Sequence, residues 1–203
     1  MIRIRNISRD VDTVQVRRGG GPLPEQEHVR IYTGDVATST MPVVMETVLG
    51  SCVAVCLYDP EVQAGGMNHF LLPGSTQDPG STRFGVNAME LLINELMKRG
   101  GERRRFVAKA FGGANVMHGV TLANIGGDNA EFVRSFLATE KIPLLRHRLG
   151  GTQPVRVVFR TDSGRATVHT VDGSQLHKVV HAEEAYRRVH VTDRNYSGEI
   201  TLF

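Results

Sequence analysis

Cys52 and His69 are the residues of this chain best placed to do chemistry. The chain has only two cysteines in 203 residues, and Cys52 follows Leu49-Gly50-Ser51 at the mouth of an apolar run, Val53-Ala54-Val55-Cys56-Leu57-Tyr58. His69 lies seventeen residues on, in a second apolar run from Met67 to Pro73 that is entered through Gly65-Gly66. A thiol and an imidazole on neighbouring strands are the minimum apparatus for cysteine nucleophilic catalysis, because the imidazole raises the thiolate fraction and shuttles the proton. The Gly50-Ser51 turn can expose the sulfur and aim backbone N–H groups at a reacting carbonyl, which makes Ser51 a candidate oxyanion or orienting group.

Each of these residues also has a plainer reading. A free cysteine usually packs in a core, and a histidine in an apolar strand is more often a satisfied core residue than a catalyst. Cys56 shares a strand face with Cys52 but lacks the turn before it, so it is expected only to pack. Zinc needs four ligands, or three and a water. Cys52, Cys56, His69 and His118 lack the paired spacing of such a site, and neither a metal nor an organic cofactor is expected. Gly112-Gly113 and Gly126-Gly127 lack the pattern of a phosphate loop. The first pair, with Phe111, is expected to let a substrate backbone approach beside the catalytic strand.

The elements that must position these groups are legible in the pattern. Residues 1–27 carry little periodicity and read as a flexible N-terminal extension, 28–170 as the domain and 171–203 as a C-terminal extension. One strand is expected from Val29 to Val36, followed by the Cys52 and His69 strands with Asp59-Pro60 as the turn between them. Gly74 to Gly80 reads as a surface loop. A helix follows with Val86, Met89, Leu92, Ile93, Leu96 and Met97 on one face and Gly100 as its stop. Phe106 to Phe111 is expected to be a strand, and Asn129 to Lys141 a second helix capped by Asp128. Pro143 to Leu149 reads as a strand, Val155 to His169 as a hairpin around Asp162-Ser163-Gly164, and Ala182 to Val189 as a short helix. The fold class is therefore α/β in the broad sense (α+β), a single-domain mixed sandwich of strands with two main helices.

Composition narrows the function classes. Twenty-four Lys and Arg face 21 Asp and Glu, a net charge of +3, and the densest basic run, Lys98 to Arg105, reads as a solvated helix end. Six per cent aromatics without tryptophan argue against a stacking platform for single-stranded nucleic acid. No segment approaches the roughly 18 apolar residues of a membrane span, and Met1 to Arg5 has no apolar run behind its charges. Cys52 and Cys56 cannot pair within one strand, since four residues span about 13 Å. A cytoplasmic protein is expected, and with no apolar heptad or long exposed patch evident, a monomer.

Longer stretches carry a resemblance. Thr47 to Asp59, Gly65 to Pro73, Met89 to Leu96, Lys109-Ala110-Phe111-Gly112-Gly113-Ala114-Asn115-Val116, Asn129 to Val133 and Leu149-Gly150-Gly151-Thr152 resemble the CheD family, the chemoreceptor glutamine deamidases of chemotaxis. The resemblance runs from about residue 29 to 170. It implies the CheD and cytotoxic necrotizing factor-like deamidase fold. It also implies a cysteine amidohydrolase, a protein-glutamine glutaminase that converts glutamine side chains of methyl-accepting chemotaxis receptors to glutamate through a thioester, without a cofactor. Cys52 matches the nucleophile and His69 the base and acid. Thr47 is the expected third member, with Ser51 as the alternative. The resemblance further implies a CheC-type phosphatase of CheY as protein partner. The competing readings are a cysteine peptidase or transglutaminase-like enzyme, and a non-catalytic chemotaxis adaptor that binds receptor and phosphatase.

Overall fold

The computed structural model describes residues 3–6, 27–72, 79–115, 124–171, 181, 183, 185 and 186. Among these described residues, ten strands form two sheets. The larger runs in the order β1 (Arg3–Asn6), β3 (Asp35–Ser39), β6 (Ala64–Phe70), β5 (Val53–Asp59), β7 (Val107–Gly112), β8 (Leu144–Leu149). The smaller runs β10 (Ala166–Thr170), β9 (Val155–Arg160), β4 (Val43–Leu49), β2 (Glu27–Arg30). The mixed sandwich with two helices expected from the pattern is the architecture observed.

Why β5 is apolar throughout follows from its place. It is paired on both sides, by β6 and β7, and covered on both faces. Alternation sends Val53, Val55 and Leu57 to one face and Cys52, Ala54 and Cys56 to the other. The first set packs with Leu92, Ile93, Leu96, Phe132 and Val133 of the helices. The second packs with Met45, Leu49, Val157 and Phe159 of the smaller sheet. The layers are helices, large sheet, small sheet, and Cys52 lies in the inter-sheet core.

Several element boundaries differ from the sequence pattern, each for a local reason. The single strand expected over Val29 to Val36 is two, because the chain turns at Thr33-Gly34, where Gly34 takes φ +90°. In α1 (Pro79–Lys98) the buried stripe is Gly85, Ala88, Met89, Leu92, Ile93 and Leu96, at helical spacing. Val86 and Met97 each fall one residue off that stripe and are exposed. The α1 stop is as expected, with Gly100 at φ +91° and the Gly101 N–H closing back on the Leu96 carbonyl. Helix α2 (Ile125–Thr139) starts a turn earlier than expected, and Asn124, not Asp128, caps it by accepting from the Gly127 N–H. Gly126 can lie inside that first turn because it packs on the Gly113 and Ala114 carbonyls, where a Cβ would come within 2.5 Å.

The basic run at the end of α1 is held by ion pairs. Arg103 bridges Glu90 and Glu140, and Arg105 holds the fully buried Asp59 at 2.8 Å. Burial pushes the Asp59 carboxyl up, but Arg105 and the N–H groups of Glu102 and Glu61 outweigh it and hold the acid below its ordinary value.

The N-terminal extension contributes β1, which pairs parallel to β3. His118, the loop residues 74–78 and most of the C-terminal extension lie outside the described residues. Within the expected Ala182 to Val189 helix, Glu183, Ala185 and Tyr186 are helical, as is His181 just before it. No helix among the described residues is long and apolar enough to cross a membrane.

Candidate functional site

Strand register assembles the site. His69 of β6 stands opposite Ala54 of β5, so its ring shares the inward face with Cys52, two residues before Ala54. From the smaller sheet, β4 presents Val43, Met45, Thr47 and Leu49 inward, all buried. Thr47 thus reaches across the inter-sheet core, and its Oγ1 lies 2.8 Å from His69 Nδ1. Glu46, one residue earlier, points the other way and pairs with Arg156 at 2.5 Å. Period-two alternation alone decides which of these neighbours meets the imidazole.

The hydrogen bonds fix the tautomer. Thr47 Oγ1 donates its single proton to the Ile31 carbonyl at 2.7 Å, so it can only accept from His69. Nδ1 therefore carries the ring proton, and Nε2 keeps its lone pair. That lone pair accepts from the Thr33 hydroxyl at 3.1 Å, and the same hydroxyl lies 3.9 Å from Cys52 Sγ. Thiol, hydroxyl, imidazole, hydroxyl and carbonyl make one continuous chain.

Burial sets the charge state. It lowers His69 to about 4, against the opposing pull of the Glu183 and Asp35 carboxylates. Burial, then the adjacent Glu183 carboxylate, pushes the Cys52 thiol well above its ordinary value. The resting groups are a neutral thiol and a neutral imidazole, linked through the Thr33 hydroxyl. Burial also pushes Cys56 far up, and with its inward packing in the core it is the inert cysteine of the two.

The turn before Cys52 is an anion cradle. The N–H groups of Gly50, Ser51 and Cys52 donate at 3.1, 3.1 and 3.0 Å to the carboxylate of Glu183, and Ser51 Oγ donates to it at 2.6 Å. These N–H groups converge because each carbonyl of the turn is tied behind it. Ala114 N holds the Gly50 carbonyl, Asn129 Nδ2 the Ser51 carbonyl and Gly113 N the Cys52 carbonyl. Ser51 is thus a cradle residue; the hydroxyl at Nδ1 of the imidazole is that of Thr47.

Phe111, Gly112 and Gly113, expected on a substrate face, are buried and back this turn. The close approach their glycines permit is to the chain's own backbone. Gly112 takes φ +100°, and a Cβ there would come within 2.2 Å of the Cys52 carbonyl oxygen. Gly112→Ala is expected to cost about 3 kcal/mol, from positive-φ strain plus displacement of that carbonyl. Urea unfolding of the variant checks the figure.

Three contributors were not visible as site residues in the sequence. Thr33 falls inside the strand expected over Val29 to Val36, and the Thr33-Gly34 pair is the signal for the turn that frees its hydroxyl. Asn129 reads in the sequence as a helix residue, although an amide on the first turns of a helix is a natural tie for a nearby loop. Glu183 lies in the C-terminal extension, far along the chain, within the short helix expected there, and nothing local marks it as a site residue.

Comparison with known proteins gives a consistent picture. A family model described as CheD chemotactic sensory transduction matches residues 71–170. A protein of Stenotrophomonas maltophilia (strain K279a), named probable chemoreceptor glutamine deamidase CheD, is 45% identical over 160 residues, covering 78% of this chain and 80% of that protein. A stretch of that length includes Thr47, Cys52 and His69. A protein of the same name from Burkholderia orbicola (strain MC0-3) is 50% identical over 149 residues, 71% of this chain and 60% of its own. The chain thus spans about 60% of the length of the Burkholderia relatives it matches. A solved structure, the Bacillus licheniformis hypothetical protein YfiH, aligns with a TM-score of 0.38 at 14% identity over 58% of this chain and 49% of that one.

Proposed function

This chain belongs to the CheD family, and on that premise we propose that it is a chemoreceptor glutamine deamidase with Cys52 as nucleophile. The observation that carries the reading is the meeting of three features at one point. A thiol, an imidazole joined to it through the Thr33 hydroxyl, and a cradle of three N–H groups converge where a carboxylate already sits. A carboxylate is the product group of side-chain deamidation.

The reaction runs as follows. His69 Nε2 takes the Cys52 proton as the sulfur attacks Cδ of a glutamine side chain. The carbonyl oxygen becomes an oxyanion in the cradle of Gly50, Ser51 and Cys52 N–H groups. The imidazolium gives its proton to the departing ammonia, leaving a thioester. His69 then activates water, which hydrolyses the thioester to glutamate and restores the thiol. Thr47 holds the ring in the Nδ1–H tautomer throughout, the orienting role of a third triad member. Each glutamate so formed adds a negative charge to a receptor helix, which alters local repulsion there. A CheC-type phosphatase that uses the same face would compete with receptor for it, and the protein is proposed to act as a monomer in the cytoplasm.

Thr47 separates orientation from fold. Thr47→Val removes the acceptor for Nδ1–H while keeping the shape, and it is expected to lower kcat about tenfold to a hundredfold, the equivalent of one unsatisfied buried hydrogen bond. Thr47→Ser keeps the hydroxyl and should retain most activity. Kinetics of both variants check the split.

The reading as a whole is tested by incubating the protein with a receptor cytoplasmic domain and mapping the peptides by mass spectrometry. Glutamine-to-glutamate conversion is expected at discrete helix positions. Backbone cleavage would indicate a peptidase, amine cross-linking a transglutaminase, and unchanged receptor an adaptor.

A further inference from the structure

The carboxylate in the cradle belongs to the chain itself. Glu183 is buried, and it takes all three N–H groups of the turn and the Ser51 hydroxyl. It lies beyond the residues matched by the family model, which end at 170. His181, Glu183, Ala185 and Tyr186 are helical; His181 and Ala185 are exposed. Glu183 and Tyr186, three residues apart, share the inward face. Tyr186 packs edge-on to Phe84 at 6.4 Å and lies over Gly34, where its Oη is 3.1 Å from the position a Cβ would take. The segment is therefore docked at two points, one in the cradle and one on the rim formed by α1 and the Thr33-Gly34 turn.

We propose that the segment carrying Glu183 is a tethered product mimic, a helical glutamyl side chain that fills the place of the substrate glutamine and closes the site to others. This rests on the deamidase reading for what is mimicked, though the occupancy itself does not. Glutamate is what deamidation of a helical glutamine leaves behind, and here it meets the same cradle that would hold the oxyanion. A tethered ligand acts at an effective concentration on the order of millimolar, so receptor helices must displace the segment to react. The adjacent carboxylate also opposes thiolate formation, so the docked state is quiet in reactivity as well as access.

Alkylation of the full-length protein by iodoacetamide at neutral pH tests the occupancy, with Cys52 and Cys56 followed separately by peptide mass spectrometry. Glu183→Ala and Tyr186→Ala are each expected to speed Cys52 modification at least about tenfold, with Cys56 unmodified and thermal unfolding still cooperative. Rates equal to or below wild type in both folded variants overturn the proposal. Glu183→Gln tests the mimicry. In the mutant the introduced amide, with water, should give carboxylate and ammonium, and the Cys52→Ala double variant should keep the amide. A stable amide in the single variant overturns the product-mimic assignment. Receptor deamidation by the wild-type protein, measured alongside, says whether the deamidase reading falls with it.

Discussion

Cys52→Ala is expected to abolish receptor deamidation, a loss on the order of 10⁴-fold or more, while leaving the fold intact. The size follows from the loss of the covalent path: among the described residues, Ser51 Oγ is directed at the anion site and Thr33 donates to His69, so neither hydroxyl replaces the thiol. Cys52→Ser should be nearly as inactive, since an alkoxide beside a buried imidazole of low basicity forms far less readily than a thiolate. Cys56→Ala supplies the contrast. Its sulfur packs in the inter-sheet core away from the cradle, so the variant should lose stability modestly, by about 1 kcal/mol, and keep its activity. Ammonia release from receptor domain, together with urea unfolding, reads both variants. A Cys56 variant as inactive as the Cys52 variant would place the nucleophile wrongly.

His69→Ala is the second large effect, expected to lower kcat by about 10³- to 10⁴-fold as both the base and the acid are lost. It also carries a signature in stability that a purely packing residue would lack. The folded protein keeps His69 neutral until pH falls to about 4, against an ordinary value of 6.5. Between those values the unfolded chain binds the proton and the folded one does not, so stability rises with pH across that window. The contribution is fully present above about pH 6.5 and is lost on acidification toward pH 4, at up to about 1.4 kcal/mol per pH unit. Wild type should therefore lose stability on acidification more steeply than His69→Gln, which has no proton to gain. Urea unfolding at a series of pH values checks this, and parallel curves for the two proteins would contradict the buried neutral imidazole.

How much of this was legible in the sequence varies with the range of the interaction. The Cys52 turn, the His69 strand and the glycine pair at 112-113 announce themselves locally, because turn chemistry and apolar runs are short-range signals. Thr47 is preferred over Ser51 in the sequence by resemblance alone, since the physical choice depends on which face of β4 looks across to the other sheet. The resemblance supplied the roles, whereas the alternation of β4 supplies the geometry, with Glu46 outward on Arg156 and Thr47 inward on His69. Thr33 was hidden by a run of β-formers that continues through the turn, and the glycine with positive φ was the only clue to the break. Glu183 was beyond reach. A single glutamate 131 residues from Cys52 in sequence meets the cradle only through tertiary docking, for which a lone chain offers no periodicity to read. The glycines at 112 and 113 suggest room for a substrate, but that room is taken by the carbonyls of Cys52 and Gly126.

A trapped covalent intermediate would show whether Cys52 is the nucleophile. Protein mixed with receptor cytoplasmic domain and quenched in acid should yield a receptor glutamyl group attached to Cys52, cleaved by hydroxylamine as a thioester is, and missing from Cys52→Ala. Receptor glutamines converted to glutamate with no adduct on Cys52, or converted equally well by Cys52→Ala, would contradict it.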